Sequence, residues 1–395
     1  MQKYISPEGE EFIVEEQATN RILNEGIPFI IVDIKERQLT IKENDIFVYC
    51  NMKGDIPAEN TSGLGFYTAD TRFLSCWELA LNGREPILLS TSADRDYMAH
   101  IELTNADIYE GEQLKIPQET INIRRLRVLA GGLLERIRFK NYNPVQVELN
   151  VELSFFADFA DMFEVRGLRR DKRGQLFQPK TGKKTVTLAY IGQDDIWRRT
   201  EIEMSQEPDS FRTALNKVII GYKLVLDPHS RAVLNFRISP VINKDKKKIP
   251  GFNQAISSQR RSYERWERSC TTINTDNELF NSVLKRGQND IRALITSSPH
   301  GSIISAGIPW YVAPFGRDSL IAAVQTLPLN QAPARNTLDI LARLQGKEEN
   351  AWRDEEPGKI MHEFRQGELA HLDEIPHTPY YGSVDSTPLF LLVMS

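Results

Sequence analysis

The period of the hydrophobic pattern changes once along this chain, and that change limits the folds open to it. Up to about residue 240 apolar residues recur at every second position. Gln146-Val-Glu-Leu-Asn-Val-Glu-Leu-Ser-Phe alternates polar and apolar throughout, the pattern of a long strand with one wetted face. Ile30–Lys35, Gln38–Lys42, Asp45–Tyr49, Lys184–Ile191 and Arg231–Ile238 also read as strands, with turn residues between them. Many short strands with Gly and Asn turns predict an antiparallel β-sandwich. No internal repeat of fixed period is evident.

The polar run Asn243-Lys-Asp-Lys-Lys-Lys-Ile-Pro-Gly marks a boundary and reads as a solvated loop. Phe252–Cys270 then reads as a helix. From Thr275 the period becomes helical. Thr275-Asp-Asn-Glu278 has the spacing of a capping box, and Leu279, Phe280, Val283, Leu284, Ile291, Leu294 and Ile295 follow on one face. Further helices are predicted over Gly316–Leu327, over Asn336–Leu344 ending at Gly346, and from Asp385, with Pro388 in the first turn. The expected organisation is a sandwich over 1–242, a linker with a helix over 243–274, and a helical domain over 275–395. The chain stops at Leu392-Val-Met-Ser395 inside an apolar helical pattern, so a fragment is expected, with a complementing C-terminal polypeptide as a possible partner.

At 395 residues there is room for two or three domains. A net charge of −5 argues against a nucleic-acid partner and suits a neutral substrate. Cys50, Cys76 and Cys270 are odd in number and far apart, so neither a disulfide framework nor a zinc site is expected. The start has no apolar signal core, and no run of about 18 apolar residues occurs, so no membrane partner is expected and a cytoplasmic location is. No G-x-S-x-G, P-loop, G-x-G-x-x-G or C-x-x-C occurs, and no cofactor is expected.

Five stretches could carry chemistry. Gly307-Ile-Pro-Trp-Tyr-Val-Ala-Pro-Phe-Gly-Arg-Asp-Ser-Leu320 sets Trp310 and Tyr311 before Arg317 and Asp318 at a helix start. Read blandly, Asp318 caps the helix and Arg317 pairs with an acid. Read functionally, Asp accepts from sugar hydroxyls, Arg donates to them, and an aromatic face meets the C–H face of a pyranose. Pro379-Tyr-Tyr-Gly-Ser-Val-Asp-Ser places Tyr381 and Asp385 before a second helix start. If the two helix starts adjoin, Asp318 and Asp385 face one cavity. Between them, His362, Glu363, Arg365 and Glu368 form a polar cluster, with His371 and His377 following. It lacks the second His four residues on that a zincin needs, so no metal is expected. A loop lining the pocket and a structural ion-pair network are both open. In the first half, Asp70 with Arg72, and Asp161 with Glu164 and Arg166, read as ion pairs fixing sandwich loops.

ADTRFLSCWELALNG, DFADMFEVRG, GIPWYVAPFGRDSL, HEFRQGELAH and PYYGSVDSTPLF together resemble the bacterial-type glycogen debranching enzyme family (amylo-α-1,6-glucosidase-like). The resemblance runs over roughly 25–395. It implies a β-sandwich followed by the first helices of an incomplete (α/α)6-barrel glycosidase domain. It also implies that Arg317 and Asp318 grip a glucose residue of an α-glucan or oligosaccharide and that Asp385 lies in the pocket. Hydrolysis in such barrels is expected to invert, with acid and base carboxylates about 6.5–9.5 Å apart. The GWKDS-type motif expected to supply the acid is absent, as is the later base. Catalytic residues are therefore unassigned. Asp385 is the one candidate, with substrate binding its favoured role, and little or no turnover by this chain alone is expected. A small-glucoside or trehalose-type hydrolase and a non-catalytic glucan-binding protein are the alternatives. A product unable to fold its half barrel is a further one.

Overall fold

The computed structural model describes residues 3–14, 37–58, 62–214, 217–298 and 301–395. The strand expected over Ile30–Lys35 lies outside them. The chain forms two compact units, Met1–Ile41 with Val48–Ala255, and Lys42–Phe47 with Ile256–Ser395.

In the first unit, strands Thr185–Ile191, Trp197–Met204, Arg231–Ile242, Leu133–Asn141, Ile121–Leu129, Met98–Thr104 and Ile87–Arg95 lie side by side, all antiparallel. A second sheet orders Ser210–Ala214, Lys217–Leu226, Val147–Phe156 and Cys76–Leu81. Alternation in Val147–Phe156 does what its sequence predicts: Val147, Leu149, Val151, Leu153 and Phe155 are buried, while Glu148 and Asn150 are exposed. The buried faces of the two sheets meet. Phe155 and Tyr222 of one reach Phe236 of the other, with ring centroids 6.3 and 6.5 Å apart. This is the expected antiparallel sandwich. All three cysteines are buried and unpaired.

The sandwich interior also holds charge. Arg125 and Arg127 share the carboxylate of Glu135, Nε to oxygen at 2.6 and 2.7 Å, and all three side chains are fully buried. Arg125 also pairs with Asp55, and Arg127 lies 4.3 Å over the Trp77 ring. The two clusters noted in the sequence hold ion pairs that reach beyond their own residues. Arg72 binds Asp158. Glu164 binds Arg173 at 2.9 Å and completes a capping box with Asp161 at the start of helix Met162–Val165.

In the second unit the helices are Phe252–Ser269 (which begins in the first), Glu278–Leu294, Gly316–Thr326, Ala332–Arg343, Glu368–His371 and Ser386–Met394. None of these described helices is long and apolar enough to cross a membrane. Three boundaries differ from the sequence reading. Asn277, not Thr275, caps the second helix, its side chain accepting from Phe280 N, because Thr275 Oγ1 is taken up by Asn281. Ile295 leaves that helix and opens a short hairpin, Ile295–Ser298 with Gly301–Ile304. The fourth helix begins at Ala332 because Pro333 fits its first turn, where no N–H is needed. Of the stripe at helical spacing, Leu279, Phe280 and Val283 are exposed.

Lys42 is buried in this unit. Its Nζ donates to Ala293 O at 2.8 Å and Thr296 Oγ1 at 2.9 Å. Burial pushes its pKa down to about 7, with Glu43 and Asp45 opposing the shift and Arg292 adding to it. An unfolded lysine titrates near 10.4. Between about pH 7 and 10 the unfolded chain therefore holds a proton that the folded chain has lost, so stability rises with pH across that window. Urea denaturation at both ends of the window should show this rise, and Lys42→Met should flatten it. The Glu135 network gives a second expectation. Glu135→Ala removes the buried carboxylate that Arg125 and Arg127 share, leaving Arg125 with Asp55, and should cost about 3–5 kcal/mol by urea denaturation. Removing the exposed partner of Arg212 with Glu152→Ala should cost about 0–1 kcal/mol.

Candidate functional site

Gly316 explains how two helix starts come together. A Cβ on Gly316 would lie 2.0 Å from Met361 O and 3.0 Å from Ser386 Oγ, so only glycine lets helix Gly316–Thr326 begin this close to the Met361 backbone, with Ser386 of the other helix start beside it. The Gly316 N–H donates to His362 O at 2.8 Å. Leu320, Leu341, Ile360, Met361, Tyr381 and Phe390 form the apolar cluster beneath.

Arg317 and Asp385 thereby face each other. Arg317 Nη1 is 3.4 Å from Asp385 Oδ2, and Arg317 Nε is 3.9 Å from Asp318 Oδ2. One guanidinium thus stands between two carboxylates, all partly exposed. Neither acid spends its side chain on capping. Phe315 is the N-cap before Asp318, and Asp385 occupies an N-cap position without a side-chain cap bond. Ser383 takes the capping role instead, its Oγ accepting from Ser386 N at 3.2 Å while donating to Asp385 Oδ1. The Ser383 hydrogen bond, helped by Arg317, holds the Asp385 carboxyl below its ordinary pKa.

A cavity of about 790 Å³ opens here, lined by Arg317, Asp354, Lys359, His362, Asp385 and neighbours. Its cations, Arg317 and Lys359, equal its carboxylates, Asp354 and Asp385, in number. Such a lining offers donors and acceptors without a net field, which suits a neutral polyol better than an anion. The His362 ring stands between those of Phe315 and Tyr380, with centroids 5.9 and 6.3 Å away. Among the described residues no group of His, Cys, Asp and Glu converges as a metal site would.

Several sequence candidates lie elsewhere. Glu363 and Arg365 are buried and bonded to each other at 2.5 Å. His377 Nε2 lies 3.3 Å from the other Glu363 oxygen, and Arg365 Nη2 donates to Trp310 O at 2.9 Å. Glu368 is buried at the start of its short helix. Of the two readings left open, the structural ion-pair network describes the placement of Glu363 and Arg365. Trp310 is buried, whereas Tyr311 is 43% exposed and packs edge-on to Phe315. Tyr381 points into the apolar cluster and bonds Leu344 O, so its neighbour Tyr380 is the one beside the cavity, donating to Asp354 Oδ2 at 2.7 Å. Asp354, Lys359 and Ser383 went unrecognised in the sequence, because no periodicity marks loop residues that meet only through the fold. The Ser383–Asp385 bond predicts that Ser383→Ala moves the Asp385 titration up toward the ordinary aspartate value of about 3.9, read by carboxyl NMR against pH.

Comparison with known proteins fits this architecture. Residues 41–237 match the family model of the N-terminal domain of (some) glycogen debranching enzymes. No curated protein matches the sequence significantly. Among solved structures, a kojibiose phosphorylase-like protein from the human microbiome superposes with a TM-score of 0.56 at 9% identity, covering 78% of this chain and 46% of its own. The chain thus spans about half the length of that relative. A galactose mutarotase-like protein from Lactobacillus casei covers 52% of this chain and 100% of its own at 8% identity, with a TM-score of only 0.31. The fold is a strand-rich antiparallel domain followed by a few helices, as in that relative. Residues 41–237 of the chain thus belong to the family of the N-terminal domain of (some) glycogen debranching enzymes.

Proposed function

We propose that the chain contributes to an α-glucan-acting glycoside hydrolase of the debranching, α-1,6-glucosidase type, and that its helical unit holds a glucose subsite. The observation that carries this is the Arg317 guanidinium set between Asp318 and Asp385 at the wall of a charge-balanced cavity. In the proposed complex, Asp385 accepts from sugar hydroxyls and Arg317 donates to them, while Asp318, which is not among the residues lining the cavity, supports Arg317 from its other side. Membership of the debranching-domain family supports the choice of α-glucan.

Asp385 is the wrong group for a general acid. An acid must hold its proton near neutral pH, which calls for a raised pKa, whereas Ser383 and Arg317 keep this carboxyl ionised. It serves as a hydrogen-bond acceptor for substrate. Inverting hydrolysis needs an acid and a base on opposite sides of the glycosidic bond. Here both would come from further polypeptide, covalently continuous or complementing. A second reading, a small glucoside as substrate, draws on the kojibiose phosphorylase-like relative. For glucan binding without hydrolysis, the same subsite would suffice.

Isothermal titration with maltotetraose tests the subsite. Arg317→Ala and Asp385→Asn should each weaken binding at least tenfold, about 1.4 kcal/mol. Binding equal to that of the parent chain would overturn the assignment. The parent chain should release no glucose from a branched dextrin, and measurable release would overturn the division of labour.

A further inference from the structure

The outer face of the larger sheet carries cations that the proposed sugar subsite does not use. On strand Leu133–Asn141, Arg136, Arg138 and Lys140 alternate with buried Ile137 and Phe139, so all three point away from the core. The neighbouring strands extend the strip. Arg124 lies directly opposite Arg138, and Arg231 directly opposite Lys140. Like charges placed opposite each other destabilise a sheet, so stability alone does not require this arrangement.

The cations are oriented but not neutralised. Arg138 Nη2 donates to Asn122 Oδ1 at 3.0 Å. Arg136 Nε donates to Asn235 Oδ1 at 2.9 Å, and its Nη1 to Asn253 Oδ1 at 3.3 Å. Neutral amide oxygens thus hold both guanidinium groups, where carboxylates would have cancelled their charge. Lys140 Nζ lies 4.6 Å over the Tyr142 ring, and the Arg136 guanidinium 4.1 Å over that of Phe252. The acids beside the strip are engaged elsewhere, Glu102 by Arg124 and Glu203 by Arg237. Among the described residues, none of Arg136, Arg138, Lys140 and Arg231 forms an ion pair.

On a chain of net charge −5, an uncompensated basic strip is a local exception that attracts an anionic partner. An antiparallel strand rises about 3.4 Å per residue, so Arg136, Arg138 and Lys140 recur about every 6.8 Å. An extended peptide with an acid at every second residue has the same repeat. Each strand of a nucleic-acid duplex carries a phosphate about every 3.4 Å, twice as dense as this row. We propose that the strip binds an extended acidic segment of a partner protein, its alternate carboxylates pairing with Arg136, Arg138 and Lys140.

The test is fluorescence anisotropy of a labelled short peptide alternating glutamate and serine, titrated with the full chain at low salt. The peptide should bind, and added salt should weaken it. The double variant Arg138→Gln, Lys140→Gln should bind on the order of tenfold more weakly. Asn235→Asp keeps every cation but gives Arg136 a carboxylate partner, and it too should weaken binding. Arg212→Gln removes an exposed cation of the other sheet and should leave binding unchanged. Circular dichroism checks that each variant stays folded. A parent chain that does not bind the peptide, or a folded double variant that binds it as tightly as the parent, would overturn the proposal. Equal weakening by Arg212→Gln would also overturn it, since the attraction would then be general. Tighter binding of an oligothymidylate of equal charge would overturn the peptide and make the strip a nucleic-acid surface.

Discussion

Glu363 is the point on which the arrangement of the helical unit turns. Its backbone bridges Phe315 on one side and Tyr380 on the other. Its carboxylate is shared between Arg365 and His377, and Arg365 in turn holds the Trp310 carbonyl and lies 5.4 Å over the Phe315 ring. Three segments far apart in sequence are thereby fixed to one buried ion pair. Such a pair survives burial only when both partners are present and further hydrogen bonds satisfy them. The aromatic-rich loop before Arg317 and the segment before Asp385 therefore depend on a charge that is not at the cavity wall. Residues that look like chemistry in the sequence act here as scaffolding.

On that scaffold the site is built from two helix ends. Gly316 lacks the Cβ that would collide with the Met361 carbonyl, and Arg317 then spans the gap to Asp385. Because Phe315 and Ser383 precede the helices, both aspartates are spared from capping. An exposed Arg–Asp pair contributes little stability. In the proposed function these groups are donors and acceptors presented to a ligand, and the equal numbers of cations and carboxylates around the cavity match one without charge. The sandwich solves a different problem. Its two arginines and Glu135 sit among apolar strands, where complete pairing rather than exposure keeps the charges tolerable.

Local signals were legible wherever local physics decides the outcome. Strict alternation placed the strand Val147–Phe156, and helical spacing found every helix that presents a sustained apolar face. Turn and cap choices were less legible because they are competitions. Thr275 and Asn277 are both good caps, and Asn281 settled the matter by engaging Thr275. At the site, Arg317 and Asp385 were readable from residue type and helix position. The choice between Tyr380 and Tyr381 was not, since neighbours in an extended segment point to opposite sides and sequence does not say which side is wet.

What the sequence determined by itself is the order of architecture, strands then helices, and the presence of an Arg-Asp pair and a further Asp at helix starts. Periodicity and cap chemistry are short-range properties, so they can be read along the chain. Only the tertiary structure decided that Arg317 meets Asp385, that Glu363 and Arg365 are consumed by each other, and that Asp354 and Lys359 join the cavity wall. Those outcomes rest on backbone approaches such as that of Gly316 to Met361, between residues dozens of positions apart. No pattern within a single element records such approaches.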